Sequence, residues 1–233
     1  MFDAVVVSDV HCDGPGSPTQ EAFLQFLAGL RTRRLVLAGD IFHAFWCPEG
    51  VPFAAYQPVL DALRDFELTV LPGNHDWSLG PHLGTPRADT AIGTRVCLRL
   101  GELQADVSHG DEVDESPRYR GFHRVLRGSG FGWTLDRLGD RGAWDLLHRL
   151  AGRLGDGAPN PELVARQERL AAERLRGDTE LVVMGHTHQP TRLELPGGVF
   201  LNPGDWVRHR TWGAIEGQSV ELHRFDDTAG AGR

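Results

Sequence analysis

Five short polar clusters carry side chains that bind divalent cations: Asp9 with His11; Asp40; Asn74 with His75 and Asp76; His109; and His186 with His188. Carboxylate and amide oxygens and imidazole nitrogens are ligands for such ions. No cluster contains a thiolate, which excludes a structural zinc site. The candidate ligands Asp9, His11, Asp40, Asn74, His109, His186 and His188 exceed what one tetrahedral ion needs. They suit two ions a few ångströms apart that share a carboxylate, the arrangement used on phosphate esters. His186 and His188 lie two residues apart, so on extended backbone they share a face.

Each cluster follows a short apolar run: Ala4 to Ser8, Leu35 to Ala38, Leu68 to Leu71, Leu103 to Val107, and Leu181 to Met184. The length and valine content of these runs predict buried strands. Strand ends are where open α/β sheets place ligands. Arg95 to Leu100 pairs with the fourth run. Pro196-Gly197-Gly198 and Glu216-Gly217-Gln218 read as hairpin turns. Ser17, Pro18 and Gln20 predict a capped helix start, followed by an apolar face of Phe23, Leu24, Phe26, Leu27 and Leu30. A second helix is expected over Phe53 to Asp65. From about residue 115 to 176 the chain reads as helical, interrupted by glycines at 128, 130, 132, 139 and 142. The last helix of that stretch, Pro161 to Arg176, has Asn160 as its cap and the pairs Glu162–Arg166 and Arg169–Glu173. Asp226 to Arg233 reads as a frayed tail.

The 233 residues suit one large domain spanning 1–233, with no composition break that demands two. A formal charge of −8 argues against a nucleic-acid partner. All 24 basic residues are arginine, so amine-dependent Schiff-base and P-loop chemistry is excluded. Cys12, Cys47 and Cys97 fit neither a disulfide framework nor a zinc motif, which points to a reducing, cytoplasmic setting. No signal peptide and no span-length apolar run is present, so the protein is expected to be soluble or to lie on a membrane.

Taken in order, Asp9-Val10-His11, Gly39-Asp40, Gly73-Asn74-His75-Asp76, His109 and Gly185-His186-Thr187-His188 resemble the five-block signature of the calcineurin-like metallophosphoesterases. The resemblance implies an α/β fold, a four-layer αββα sandwich of two mixed sheets, here with a helical cap insertion at about 115–176. It also implies a dinuclear centre, often manganese. One ion would take Asp9, His11, Asp40 and His188; the other Asp40, Asn74, His109 and His186, with Asp40 as the bridge. Two dications lower the pKa of a water between them and neutralise phosphoryl oxygens. Beside Asn74, His75 is the candidate general acid, with Asp76 orienting its ring. His43 stands where the superfamily commonly has an acidic residue; it reads either as a partner of the ligands or as surface. His82, His123, His148, His209 and His223 fit no block.

A narrower resemblance concerns the substrate. Gly39-Asp40-Ile41-Phe42, Gly73 to Asp76 with Gly80, the stretch from His109 to Tyr119 and Arg124, and Asn202-Pro203-Gly204-Asp205-Trp206 are similar to the UDP-2,3-diacylglucosamine pyrophosphatases of lipid A synthesis. That family implies hydrolysis to UMP and 2,3-diacylglucosamine 1-phosphate, with the insertion as a lipid-holding cap. By position Asp114, Tyr119 and Arg124 would approach the substrate. That family's best-known members carry Arg at the place of His75, and a cap lysine that this chain lacks. From Arg118 to Arg153 eight arginines stand against three aspartates, interleaved with large apolar residues. This composition suits contact with an anionic membrane surface, and equally a helical subdomain with its apolar face on the core. A soluble nucleotide, cyclic nucleotide or phosphoprotein remains the alternative substrate, and a non-catalytic scaffold of the same fold the third reading.

Overall fold

The computed structural model describes residues 1–45, 52–76, 94–126, 129–154 and 160–226. Its strands are β1 (Ala4–Val7), β2 (Arg34–Ala38), β3 (Glu67–Leu71), β4 (Arg95–Leu100), β5 (Leu103–Ser108), β6 (Leu181–Met184), β7 (Thr191–Leu195), β8 (Gly198–Asn202), β9 (Thr211–Glu216) and β10 (Ser219–Arg224). One sheet has the order β10-β9-β1-β2-β3 and the other β4-β5-β6-β8-β7. The ligand-bearing β1, β2 and β3 are mutually parallel, as are β5, β6 and β8. The remaining pairings are antiparallel, so both sheets are mixed.

Alternation along the strands explains the layers. Val6, Val36, Ala38 and Leu71 of the first sheet meet Val107, Leu181, Val183 and Leu201 of the second. On the other side of the first sheet, Val5, Val7, Leu35 and Leu37 pack with α1 (Pro18–Gly29) and α2 (Gln57–Leu63). The outer face of the second sheet presents Val182, Met184 and Phe200 to Ala171 of α5 (Pro161–Arg174). The result is the four-layer αββα sandwich. Strands buried on both faces read as unbroken apolar runs, as the four fully buried residues of β1 do.

The expected helical stretch divides in two. Here α3 (Pro117–Leu126) and α4 (Ser129–Leu154) form the cap, and α4 rests on Ala44 through Leu135, Ala143, Leu147 and Ala151. The third helix, α5, belongs to the sandwich itself. Of the glycines expected to interrupt the cap, only Gly139 does so among the described residues, with a φ of 64° inside α4; Gly130, Gly132 and Gly142 are helical. Asn160 caps α5 as expected, its side chain accepting from Glu162 N at 3.0 Å, and Glu162 pairs with Arg166. Ser17 begins α1 without a side-chain cap bond. Gln20 instead turns inward, accepting from Gly14 N and donating to Ala55 O, which ties α1 to the loop after His11. Among the described residues no helix is long and apolar enough to cross a membrane. Cys47, Gly80, His82 and the tail from 227 lie outside the described residues.

Candidate metal centre

The strand ends do not continue as extended backbone. Asp9, His11, Asp40, His186 and His188 all have φ between 50° and 68°, five of the six non-glycine residues with positive φ among those described. For such residues the left-handed conformation costs about 1–3 kcal/mol each and persists only where neighbours over-determine it. Here they do. His11 N donates to Asp40 O and Asp9 N to Gly39 O, each at 3.0 Å. His186 N donates to both Asp9 oxygens, at 3.2 and 3.0 Å. Gln167 Nε2 donates to Gly185 O at 2.6 Å, and Asn202 Nδ2 donates to the same carbonyl at 3.1 Å. Thr187 Oγ1 donates to Gln167 Oε1 at 3.0 Å and accepts from Asn202 Nδ2 at 2.9 Å. Glycine is required at 73 by proximity: a Cβ there would lie 2.1 Å from Asp40 Oδ1.

All seven expected ligands converge between the two sheets. Asp9 Oδ1 lies 3.2 Å from His188 Nε2, and His11 Nε2 lies 3.3 Å from the same nitrogen. Asn74 Oδ1 lies 3.0 Å from His109 Nε2 and 3.0 Å from His186 Nδ1. Asp40 Oδ2 is 3.5 Å from His109 Nε2, and donor atoms of Asp9, Asp40 and His109 fall within 4.8 Å of one another. His109 Nδ1 donates to Ala38 O at 2.8 Å, which turns Nε2 toward the cluster. Asp9, His11 and His188 form one group of donors that could hold a divalent cation, and Asp9, Asp40 and His109 form another.

The charges fit the same occupants. Burial works to raise the carboxyl pKa of Asp9, but His188 and His109 outweigh it and hold the group ionised. Asp40 is likewise held well below the usual range against burial, by His109 and His75. Burial works to lower His188, yet Asp9 and its neighbours hold it at about 9; His109 is raised well above its ordinary value by Asp40 and Asp9. Burial and neighbouring imidazoles push His11 and His186 down to about 3, leaving neutral lone-pair donors. In the metal-free protein two imidazole protons therefore balance the carboxylates, one in each donor group.

The remaining expected residues are placed unequally. His75 is at the centre's edge, its N donating to Asp40 Oδ1 at 2.8 Å and its Nδ1 to His43 O at 2.7 Å. The expected orienting role of Asp76 is corrected. Its carboxylate is buried and accepts from the backbone N–H of Asp40, Ile41, Phe42 and Gly73, while the carbonyl of His43 holds the His75 ring. Asp76 thus shapes the loop that presents Asp40; burial and Asp40 push it up to about 6. Tyr119 is brought in, its ring centroid 5.6 Å from that of His186. Asp114 accepts from Ser116 N in the turn before α3, and Arg124 is exposed on the face of α3 away from the buried Tyr119, His123 and Leu126. His43 is at the centre, not on the outer surface: its ring centroid is 6.0 Å from His11 and 5.7 Å from His75. His148 reaches from the cap to Asp13, 2.7 Å away. Sequence reasoning missed Gln167, because a glutamine within an amphipathic helix carries no local mark of burial. Asn202 was noticed only as part of a motif.

A model of calcineurin-like phosphoesterases matches residues 3–190. The chain belongs to the calcineurin-like phosphoesterase family. This phosphoesterase is 26% identical over 249 residues to the UDP-2,3-diacylglucosamine hydrolase of Sodalis glossinidius, covering 96% of this chain and 98% of that protein. It is 29% identical over 210 residues to the protein of that name from Bordetella parapertussis, covering 80% of this chain and 77% of that one. Among solved structures it is similar to Vacuolar Protein Sorting 29 from Cryptosporidium parvum, at 16% identity and a TM-score of 0.48, covering 94% and 88% of the two chains. Membership in this family implies divalent metal ions, and the donor groups described above are where they fit.

Proposed function

We propose that this phosphoesterase is a dinuclear-metal hydrolase that cleaves the pyrophosphate of UDP-2,3-diacylglucosamine, giving UMP and 2,3-diacylglucosamine 1-phosphate. The observation that carries the reading is a small cavity of about 20 Å³ beside the ligand cluster, whose lining brings polar His43, Asn74 and His75 together with apolar Leu126, Leu147 and Leu150 of the cap. A substrate with phosphoryl groups next to acyl chains has the same division. The relatives named for this substrate, matched along most of the chain, support it.

When bound, two divalent cations, manganese in this reading, neutralise the phosphoryl oxygens and lower the pKa of a water. They would be held by Asp9, His11, Asp40 and His188, and by Asp40, Asn74, His109 and His186. His75, with Nδ1 tied to the His43 carbonyl, keeps Nε2 for the proton that the leaving oxygen takes. Tyr119, beside His186, borders the nucleotide-sugar side; Asp114 acts by shaping the turn into α3, and Arg124 contacts the lipid or membrane surface from outside. Val125, Trp133 and Leu138 are exposed on the cap at 63%, 58% and 48%, with Arg137 over the Trp133 ring, a combination suited to anionic lipid.

The test is to incubate purified protein with UDP-2,3-diacylglucosamine and Mn²⁺ and to look for UMP. UMP should appear, vanish with a chelator, and vanish in Asp40→Ala. Turnover of small nucleotides without release of UMP from the lipid would favour a soluble substrate. Activity surviving in Asp40→Ala would remove the dinuclear mechanism.

A further inference from the structure

We infer that Arg174 is a positioning residue for the metal ligand His109: its guanidinium joins the residues on either side of that ligand. Asp106 and Ser108 alternate with Ala105 and Val107 along β5, so their side chains face α5 while the apolar pair faces the other sheet. On α5, Gln167 and Arg174 are seven residues apart and share one face, with Ala171 between them on the sheet. Gln167 meets the carbonyl of Gly185, next to His186; Arg174 meets Ser108, next to His109. A basic residue in the last turn of a helix ordinarily serves that helix's own carbonyl end. The Arg174 side chain is instead 9% exposed and turned onto β5.

Its contacts form a closed set. One terminal nitrogen donates to Ser108 Oγ at 2.8 Å and the other to Glu112 Oε1 at 2.5 Å. Ser108 Oγ in turn donates to the same Glu112 oxygen at 3.2 Å. Asp106 Oδ1, 3.8 Å from the guanidinium, adds its charge. Burying a charge costs stability unless partners meet it, and these carboxylates do. Ser108 ends β5 and Glu112 lies in the short turn Asp111–Val113, so one cation clasps the chain on both sides of His109. Between them Gly110, with a φ of 98°, lets the chain turn. The imidazole is aimed by its Nδ1 bond to Ala38 O, and the His109 carbonyl accepts from Gly185 N at 2.8 Å. Those bonds hold the ring and the sheet side; the clasp holds the backbone that carries the ligand on the side of α5. A guanidinium suits this because its planar fork meets two acceptors at once, where an ammonium acts as a point charge. The inference rests on the reading of His109 as a metal ligand, but not on the substrate.

The experiment compares wild type with Arg174→Met, Arg174→Lys and the double variant Arg174→Met/Glu112→Gln. Mn²⁺ binding is read from free Mn²⁺ by electron paramagnetic resonance, and melting temperature is taken on the metal-free proteins. Arg174→Met should weaken one Mn²⁺ equivalent about ten- to hundredfold and leave the other within about twofold. It should also melt lower, because it leaves Glu112 without that cation. The double variant removes the orphaned charge, so melting should return most of the way while the loss of Mn²⁺ affinity remains. Arg174→Lys keeps the charge but not the fork, so it should melt near wild type and recover only part of the affinity. Unchanged Mn²⁺ binding in Arg174→Met overturns the inference. So does binding that returns together with the melting temperature in the double variant, since Arg174 would then stabilise the fold without setting His109. A wild type that takes up a single Mn²⁺ would sink the dinuclear reading alone; the inference would then fall only if that ion binds Arg174→Met as it binds wild type.

Discussion

Replacing Gln167 by leucine should loosen the metal centre without touching a ligand. Gln167 is 1% exposed on α5, and its amide spans Gly185 O, Thr187 Oγ1 and Asn202 Nδ2. Leucine fills the space and offers neither donor nor acceptor. Asn202 still reaches Gly185 O at 3.1 Å and Thr187 Oγ1 at 2.9 Å, so the group left without a partner is the Thr187 hydroxyl hydrogen. That orphan costs about 1–3 kcal/mol, and the lost bond to Gly185 O about 1 kcal/mol more. The sum, about 2–4 kcal/mol, matches the roughly 1–3 kcal/mol stored in each of the left-handed residues His186 and His188. Those residues then have as much to gain by relaxing as the remaining bonds have to hold them. Loss of such a support should weaken Mn²⁺ about ten- to hundredfold, read from free Mn²⁺ by electron paramagnetic resonance. Thermal unfolding should fall by roughly 4–16 °C at 2–4 °C per kcal/mol. A lowered melting temperature with Mn²⁺ affinity within about twofold of wild type would refute the reasoning, since the network would then stabilise the fold without setting ligand geometry.

Asp76→Asn keeps one acceptor oxygen for four N–H donors. It should lose about 2–6 kcal/mol, trimmed toward the lower end by relief of repulsion with Asp40, and should shed metal. Unchanged melting and full metal content with hydrolysis abolished would return Asp76 to a direct role in the chemistry. Gly73→Ala should empty the centre, because the new Cβ meets both Asp40 Oδ1 and Asp40 N, while Gly29→Ala, with open space around it, should melt at or slightly above the wild-type temperature. Metal loading at neutral pH should release protons, since His188 and His109 carry them in the metal-free protein; calorimetry in two buffers of different ionisation enthalpy would show none if this charge balance is wrong. In the metal-free protein the stability from His188 is fully present below the ordinary histidine value of 6.5 and is lost as pH rises through about 9.

Much of the site was legible because each ligand sits at the end of an apolar run whose length and branching declare a strand. The hairpins after Leu195 and Glu216 and the Asn160 cap were legible for a similar reason: short-range backbone chemistry decides them. Where local signals competed with packing, the reading failed. Glycines in α4 marked possible breaks, yet Gly130, Gly132 and Gly142 lie in helix and only Gly139 turns. Ser17 has the chemistry of a cap, but its side chain makes no cap bond. Asp76 follows His75 in the chain and so read as its partner, but strand ends 36 residues apart converge and turn its carboxylate onto the Asp40 loop.

The sequence by itself determined which segments become strands, which donor atoms they carry, and hence that divalent metal chemistry on a phosphoester was in view. Tertiary structure alone decided how those donors divide between two sheets, which ligands take left-handed backbone, and which buried amides hold them there. Strand formation and donor type are properties of a few consecutive residues. The strained geometry of the centre exists only because bonds between segments far apart in the chain, such as Asp9 with His186 and Gln167 with Gly185, outweigh what each segment would prefer alone.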